Sequence, residues 1–164
     1  MDSKTKVRDA QRLIIDYLAE CETSIADLYA TYGNAFPEIA DFWQTLSDEE
    51  KGHARLLKTL HAILDKDDIF FNLGRFDKQT VNANITKNQT ELATFKEKPF
   101  SVLHAIAVAL SMEASLVDGK FYASITSDAP EFILIADNLL KDTNRHIDLI
   151  KDQWSKRWNW AGGP

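Results

Sequence analysis

The chain has 164 residues, a formal net charge of −6 and one cysteine, Cys21. That length suits one well-buried domain over 1–164 better than two, and the acidic balance argues against nucleic acid or an anionic membrane surface as partner, because phosphates attract the opposite sign. A lone thiol builds no internal disulfide and no four-cysteine iron site; with no apolar leader behind Met1 and no run of ~20 apolar residues, a cytoplasmic protein without a membrane span is expected.

From about 4 to 32 apolar residues recur at helical spacing, through Ile14, Ile15, Leu18, Ile25, Leu28, Tyr29 and Tyr32. This pattern predicts a long helix, which Gly33 and Asn34 end. Pro37 stands where a second helix begins, and Phe42, Leu46, His53, Leu56, Leu57 and Leu60 mark its inner face as far as 64. The acidic run Asp65-Lys66-Asp67-Asp68 closes it in solvent. Residues 65–98 lack sustained periodicity, although Val81, Ile85 and Leu92 are spaced for a short helix, and the stretch is too long for a hairpin loop. Pro99 opens a third helix through Leu103, Ile106, Leu110, Val117 and Phe121 to about 126. Asp128 as N-cap and Pro130 just inside start a fourth, which carries Ile135, Leu139, His146 and Ile150 to about 158. Two helical hairpins, 4–64 and 99–158, are therefore joined by one long crossover, 65–98.

An offset of 93 tests whether the hairpins are copies. It places Glu20 on Glu113, Tyr29 on Tyr122, Pro37-Glu38 on Pro130-Glu131, Leu46 on Leu139 and His53 on His146 without a gap. Duplicated hairpins joined by one crossover predict an all-α four-helix bundle.

Glu50 and His53 are three apart, so on a helix both reach one ion from successive turns. A carboxylate-bridged metal pair needs one Glu from each of two helices and a Glu-x-x-His from each of the other two. Glu50 lies among Leu46, Leu57 and Leu60, and a buried carboxylate is costly unless a cation or hydrogen bonds compensate it. The echo of the motif keeps His146 but has Thr143 where the second glutamate is expected. Asp142, four before His146, either swings in to replace it or stays a solvated acid while water fills the gap. On the first helix, Glu22 keeps company with Leu18, Ile25 and Tyr29, whereas Glu20 sits with Asp16, Ser24 and Asp27; the stripe favours Glu22 and the register favours Glu20. On the third, Ala109, Leu110, Leu116 and Val117 turn Glu113 inward. His61 and His104 have no carboxylate at motif spacing and read as surface or packing residues. Trp154 and Trp158 form a stripe suited to core packing or a dimer contact. Asn84 and Asn88 match the glycosylation pattern by chance.

These residues together, Glu22 with Tyr29, Glu50-x-x-His53, Glu113 with Phe121 and Tyr122, and His146, make the chain resemble a rubrerythrin-like member of the ferritin-like superfamily. The resemblance covers nearly all of the chain except the crossover. It implies a ferritin-like four-helix bundle in which Glu22, Glu50 and His53 hold one iron and Glu113 and His146 the other, with Tyr29 and Tyr122 hydrogen-bonded to ligand carboxylates. It further implies redox chemistry with hydrogen peroxide or oxygen, an external electron donor, and a homodimer. Three features depart from the family: Thr143, Leu116 in place of a further acid, and the lack of a cysteine-rich iron segment. Oxygen and nitrogen donors of this kind equally suit one ion, or manganese. The competing expectations are a degenerate bundle with one structural metal or none, acting as a binding module, and a ferritin-like oxygenase of an organic substrate.

Overall fold

The computed structural model describes residues 3–66, 71–72, 78–123, 126–127 and 129–160. These form five α-helices: α1 Ser3–Ala35, α2 Ala40–Lys66, α3 Lys78–Glu97, α4 Val102–Asp118 and α5 Pro130–Trp160. A 3₁₀ turn, Pro37–Ile39, precedes α2, so Pro37 opens a tight turn and the α-helix proper begins after it. Two short strands, β1 Phe71–Asn72 and β2 Thr126–Ser127, pair antiparallel.

Side-chain contacts fix how the helices run. Ser47 Oγ on α2 donates to the Ala26 carbonyl of α1 at 2.9 Å, Trp43 packs on Tyr29 and Tyr32, and Arg12 pairs with Asp65; α1 and α2 are therefore antiparallel. His53 meets Asp142 and Glu49 meets His146, which sets α5 antiparallel to α2. Tyr29 meets Glu113 and Glu22 meets Tyr122, which sets α4 antiparallel to α1. One hydrophobic cluster draws on all five helices. The result is an all-α bundle with the inner faces of α1, α2, α4 and α5 turned to a common centre.

The crossover departs from the expectation of a short helix. It contains α3, 20 residues long, which lies along α1 in the same direction: Lys78 sits over the Tyr17 ring, Asn88 Nδ2 donates to Ser24 Oγ at 2.9 Å, and Phe95 packs edge-on against Tyr32. Its apolar stripe is thin because only Val81, Ile85 and Phe95, with Asn88, are buried. Asn88 is thus a buried hydrogen-bonding residue with no room for a glycan.

The third helix is also shorter than its periodicity predicts. It starts at Val102 behind the N-cap Ser101, whose Oγ accepts from His104 N at 3.3 Å, rather than at Pro99. It stops at Asp118, where Lys120 takes a left-handed backbone (φ 52°) and the amides of Lys120 and Phe121 return to the carbonyls of Val117 and Leu116. This is a Schellman-type stop. Gly119 is required for space: a Cβ there would lie 2.9 Å from the Ser115 carbonyl and 3.0 Å from the Phe121 ring. Phe121 and Tyr122 are consequently buried in a turn instead of continuing a helix. Asp128, expected as the N-cap of the last helix, lies outside the described residues.

At the α1–α2 end, Tyr32 makes aromatic contacts with Phe36, Trp43, Phe95 and Phe100, and so ties α1 to α2, α3 and the start of α4. Such pairs contribute about 0.5–1.5 kcal/mol each beyond the area they bury.

Candidate metal centre

Midway along the bundle the four inner helices converge on charged side chains that the surrounding packing closes off from water. Glu22, Glu50, Glu113 and His146 are no more than 1% exposed, and His53 is 6% exposed. Glu22 comes from α1, Glu50 and His53 from α2, Glu113 from α4 and His146 from α5. Donor atoms of Glu22, Glu50 and His53 lie within 4.8 Å of one another, as do those of Glu50, Glu113 and His146. Glu50 belongs to both groups. Glu20 is exposed, so the apolar stripe and not the 93-residue register identifies the inward acid of α1.

The reason the register misleads is local. Tyr29 follows Glu22 by seven positions, whereas Tyr122 follows Glu113 by nine. The Schellman turn after α4 takes up the extra two residues and returns Tyr122 to the place that matches Tyr29. The two tyrosines then exchange partners: Tyr29 donates to Glu113 Oε1 at 2.8 Å, and Tyr122 donates to Glu22 Oε1.

Each histidine presents Nδ1 to the centre and Nε2 to a carboxylate of the facing helix. His53 has Nδ1 2.9 Å from Glu50 Oε2 and Nε2 3.2 Å from Asp142 Oδ2. His146 has Nε2 2.8 Å from Glu49 Oε2 and Nδ1 2.7 Å from Glu50 Oε1 and 3.4 Å from Glu113 Oε1. Arg145 spans the two outer acids, 3.0 Å from Glu49 and 3.4 Å from Asp142. Fixing the outer nitrogen of an imidazole in this way sets ring orientation and the identity of the free nitrogen.

This arrangement decides the role of Asp142. It does not fill the place of a missing glutamate: it is the counterpart of Glu49, also 93 residues earlier, and holds His53 as Glu49 holds His146. Thr143 is buried, and its hydroxyl donates to the Leu139 carbonyl of its own helix at 2.9 Å. Glu49, Asp142 and Arg145 are the residues that motif reasoning passed over or misplaced. Their signal in the sequence was the equal spacing of Glu49 and Asp142, each directly before the first motif position.

The charges shape one another. Burial pushes the Glu22 carboxyl well above its ordinary range, helped by Glu50 and Glu113. Burial and the Glu50 charge likewise raise Glu113, to about 7, against the pull of His146. For Glu50, burial acts upward, but the imidazoles of His146 and His53 outweigh it and hold the group well below the carboxylate range. Burial opposes a charge on His146, yet the facing Glu113 and Glu50 raise it to about 11; His53 is raised in the same way by Glu50. A proton is therefore shared among these groups where a cation would replace it.

Four of the inward atoms have no hydrogen-bond partner among the described residues: Glu22 Oε2, Glu50 Oε1, Glu113 Oε2 and His146 Nδ1. The close approach of His146 Nδ1 to Glu50 is not aligned as a hydrogen bond. Buried polar atoms are seldom left in this state, and their gathering in two groups that share Glu50 fits the oxygen and nitrogen donors of divalent first-row metals.

The remaining candidates lie elsewhere. His61 bonds Asp16 at 3.0 Å, His104 stacks on Phe100, and Cys21 is buried and free, its thiol pushed up by burial and the neighbouring carboxylates. Trp154 and Trp158 stack on each other; Trp154 packs on the core while Trp158 remains 44% exposed. No described helix is long and apolar enough to cross a membrane. Compared with models of protein families, with curated proteins and with solved structures, the chain gives no significant match.

Proposed function

We propose that the chain is a non-haem iron protein of rubrerythrin type, built on a ferritin-like bundle, with a carboxylate and histidine centre for reaction with hydrogen peroxide or oxygen. The observation that carries this reading is the burial of Glu22, Glu50, His53, Glu113 and His146, from α1, α2, α4 and α5, with their donor atoms in two groups within 4.8 Å that share Glu50. The antiparallel pairing of α1 with α2 and the return of the chain along α3 support the ferritin-like connection. Glu22, Glu50 and His53 would hold one ion, and Glu113 and His146, with Glu50 as the bridge, the second. Iron bound there supplies the electrons for reducing peroxide or oxygen; manganese fits the same donors.

The chain's own residues prepare this centre. Glu50 is already ionised and gives no proton up on metal entry. Glu22, Glu113 and His146 must release theirs, so binding is coupled to proton loss. Tyr29 and Tyr122 keep one oxygen of Glu113 and of Glu22 occupied and leave the other free to face the metal. Asp142 and Glu49 hold the two Nδ1 atoms on target, and Leu18, Leu46 and Leu57, all buried, keep bulk water out.

A second reading has its own support. With the Thr143 hydroxyl committed to Leu139 and Asp142 to His53, the α4–α5 side offers one carboxylate of its own. That favours a single metal, bound structurally, over a matched pair. Metal analysis after anaerobic iron loading separates the readings: two ions per chain support the pair, one supports the single site, and none removes both.

A further inference from the structure

Of the five candidate ligands His53 is the most exposed, at 6%, while none of the others exceeds 1%. It lies on the seam between α2 and α5, where the helices meet through charge. His53 Nε2 faces Asp142 at 3.2 Å and His146 Nε2 faces Glu49 at 2.8 Å. Arg145 lies across both acids, its Nη2 3.0 Å from Glu49 Oε2 and 3.4 Å from Asp142 Oδ1. These three outer side chains are about a third to a half exposed. The other seams are closed by buried groups: Ser47 bonds Ala26 between α2 and α1, Asn88 bonds Ser24 between α3 and α1, and the two tyrosines bond across α1 and α4. A polar path therefore leads from solvent through Glu49 and Asp142 to the two imidazoles, and on to Glu50, which both donor groups share.

A second observation lies on the same seam. Gly52 directly precedes His53 and stands three residues after Glu49, so it falls on the same side of α2. Inside a helix glycine costs stability relative to alanine, and packing does not demand it here. Apart from its chain neighbours and the helix backbone, an added Cβ would meet nothing closer than Arg55 Nη2, at 3.9 Å. Bare backbone beside the histidine keeps the mouth of the path clear for a cation and its water.

We propose that the α2–α5 seam is the route by which a divalent cation reaches the centre and that Arg145 is its latch, an inference that rests on the carboxylate and histidine centre proposed above. With the latch in place, the guanidinium occupies the two acids that would attract a cation and adds its own repulsion. Exposed side chains change rotamer within picoseconds to nanoseconds, so the latch acts through populations: the entry rate is scaled down by the fraction of molecules in which Arg145 has swung clear. With the arginine out, Glu49 and Asp142 take the cation at the mouth, and it passes the stacked imidazoles of His53 and His146 to Glu50. Release follows the same path, so the latch slows exit as well as entry and retains a bound metal.

The test mixes the metal-free full chain with cobalt(II) in a stopped-flow spectrometer and follows the visible absorbance of the bound ion. Release is read by competition with a chelator, and iron content after anaerobic loading is measured alongside. Arg145→Ala should speed both entry and release by about tenfold or more, with the saturating metal content equal to the parent's. A residue that merely aimed the acids would raise release and leave entry unchanged, and that result overturns the latch. Arg12→Ala removes the same charge where α1 meets Asp65, far from the seam, and should alter neither rate; equal acceleration in this variant overturns the latch too. Gly52→Leu should slow entry and release together, and it decides the route should Arg145→Ala fail to fold; unchanged rates there overturn the route. Each of these failures leaves the metal centre standing. Cobalt bound without iron overturns the iron reading alone, and neither metal bound overturns both.

Discussion

The α1–α2 half of the centre carries Glu22, Glu50 and His53, a full set of donors for one ion. The α4–α5 half carries Glu113 and His146 and depends on Glu50 from across the bundle. Around this unequal core the supports remain paired: Tyr29 against Tyr122, and Glu49 against Asp142. The residues that aim the donors are thus symmetric where the donors are not. An aimed histidine retains its use with either one ion or two, whereas the second bridge matters only to the pair.

The comparison breaks most severely at Glu50, which serves both halves. Glu50→Ala should bring metal content after iron loading from the parent value to none, read by elemental analysis; a variant that keeps its metal removes Glu50 from the centre. Restoring the missing donor acts on the weaker half. Thr143→Glu should tighten the weaker site by about tenfold or more, about 1.4 kcal/mol, and raise the melting temperature of the loaded protein. It should also lower that of the metal-free protein, because a fourth buried carboxylate then lacks compensation. The same direction of change in both forms would count against position 143 as the place of a further metal donor.

The outer acids sharpen the contrast. Glu49→Gln and Asp142→Asn should each weaken metal binding by about 10–100-fold, the first on the α4–α5 side and the second on the α1–α2 side. Glu49 should show the larger loss, because its side chain is 33% exposed against 43% for Asp142. Competition with a chromophoric chelator measures both.

Acidity distinguishes the halves too. In the metal-free protein Glu113 holds its proton up to about 7 and His146 up to about 11. Metal must displace both, so affinity should rise as pH increases across about 5 to 8. Calorimetry in buffers of different ionisation enthalpy should show proton release on binding, and less of it in Glu113→Gln. The tyrosines bear on stability rather than on affinity. Tyr122→Phe leaves a Glu22 oxygen unpartnered and should lower stability by about 1–2 kcal/mol in denaturant titration.

How far the sequence revealed this arrangement depended on the kind of signal. Helical periodicity found α1, α2 and α5 nearly end to end, because each has one continuous buried stripe. It underestimated α3, whose buried apolar residues are only Val81, Ile85 and Phe95, and overran α4, whose apolar character continues through Phe121 and Tyr122 although the backbone has already turned at Lys120. The five inward residues could be picked out because Glu and His among leucines are conspicuous on a helical wheel. The partners of those residues could not. Asp142 and Glu49 are half-exposed acids of ordinary appearance, and only the antiparallel docking of α2 on α5 turns each of them toward the histidine opposite. The apolar stripe settled the conflict between Glu20 and Glu22 in favour of Glu22, but the reason the register failed was not legible, since a two-residue surplus can be hidden anywhere between Glu113 and Tyr122 until the turn at Gly119 is seen.

The short β1–β2 pair has a bearing on assembly. Phe71 pairs with Ser127 and Asn72 with Thr126, so these few hydrogen bonds close a loop that encloses the whole of α3 and α4. Closing a flexible loop of that length carries an entropic cost that two residue pairs do little to offset. The strands can meet cheaply only after α3 has docked along α1 and α4 has followed it back. Their pairing is accordingly a late event in folding, a seal on a topology already reached, and amide exchange at this pair should be among the first to quicken when the docking of α3 is weakened.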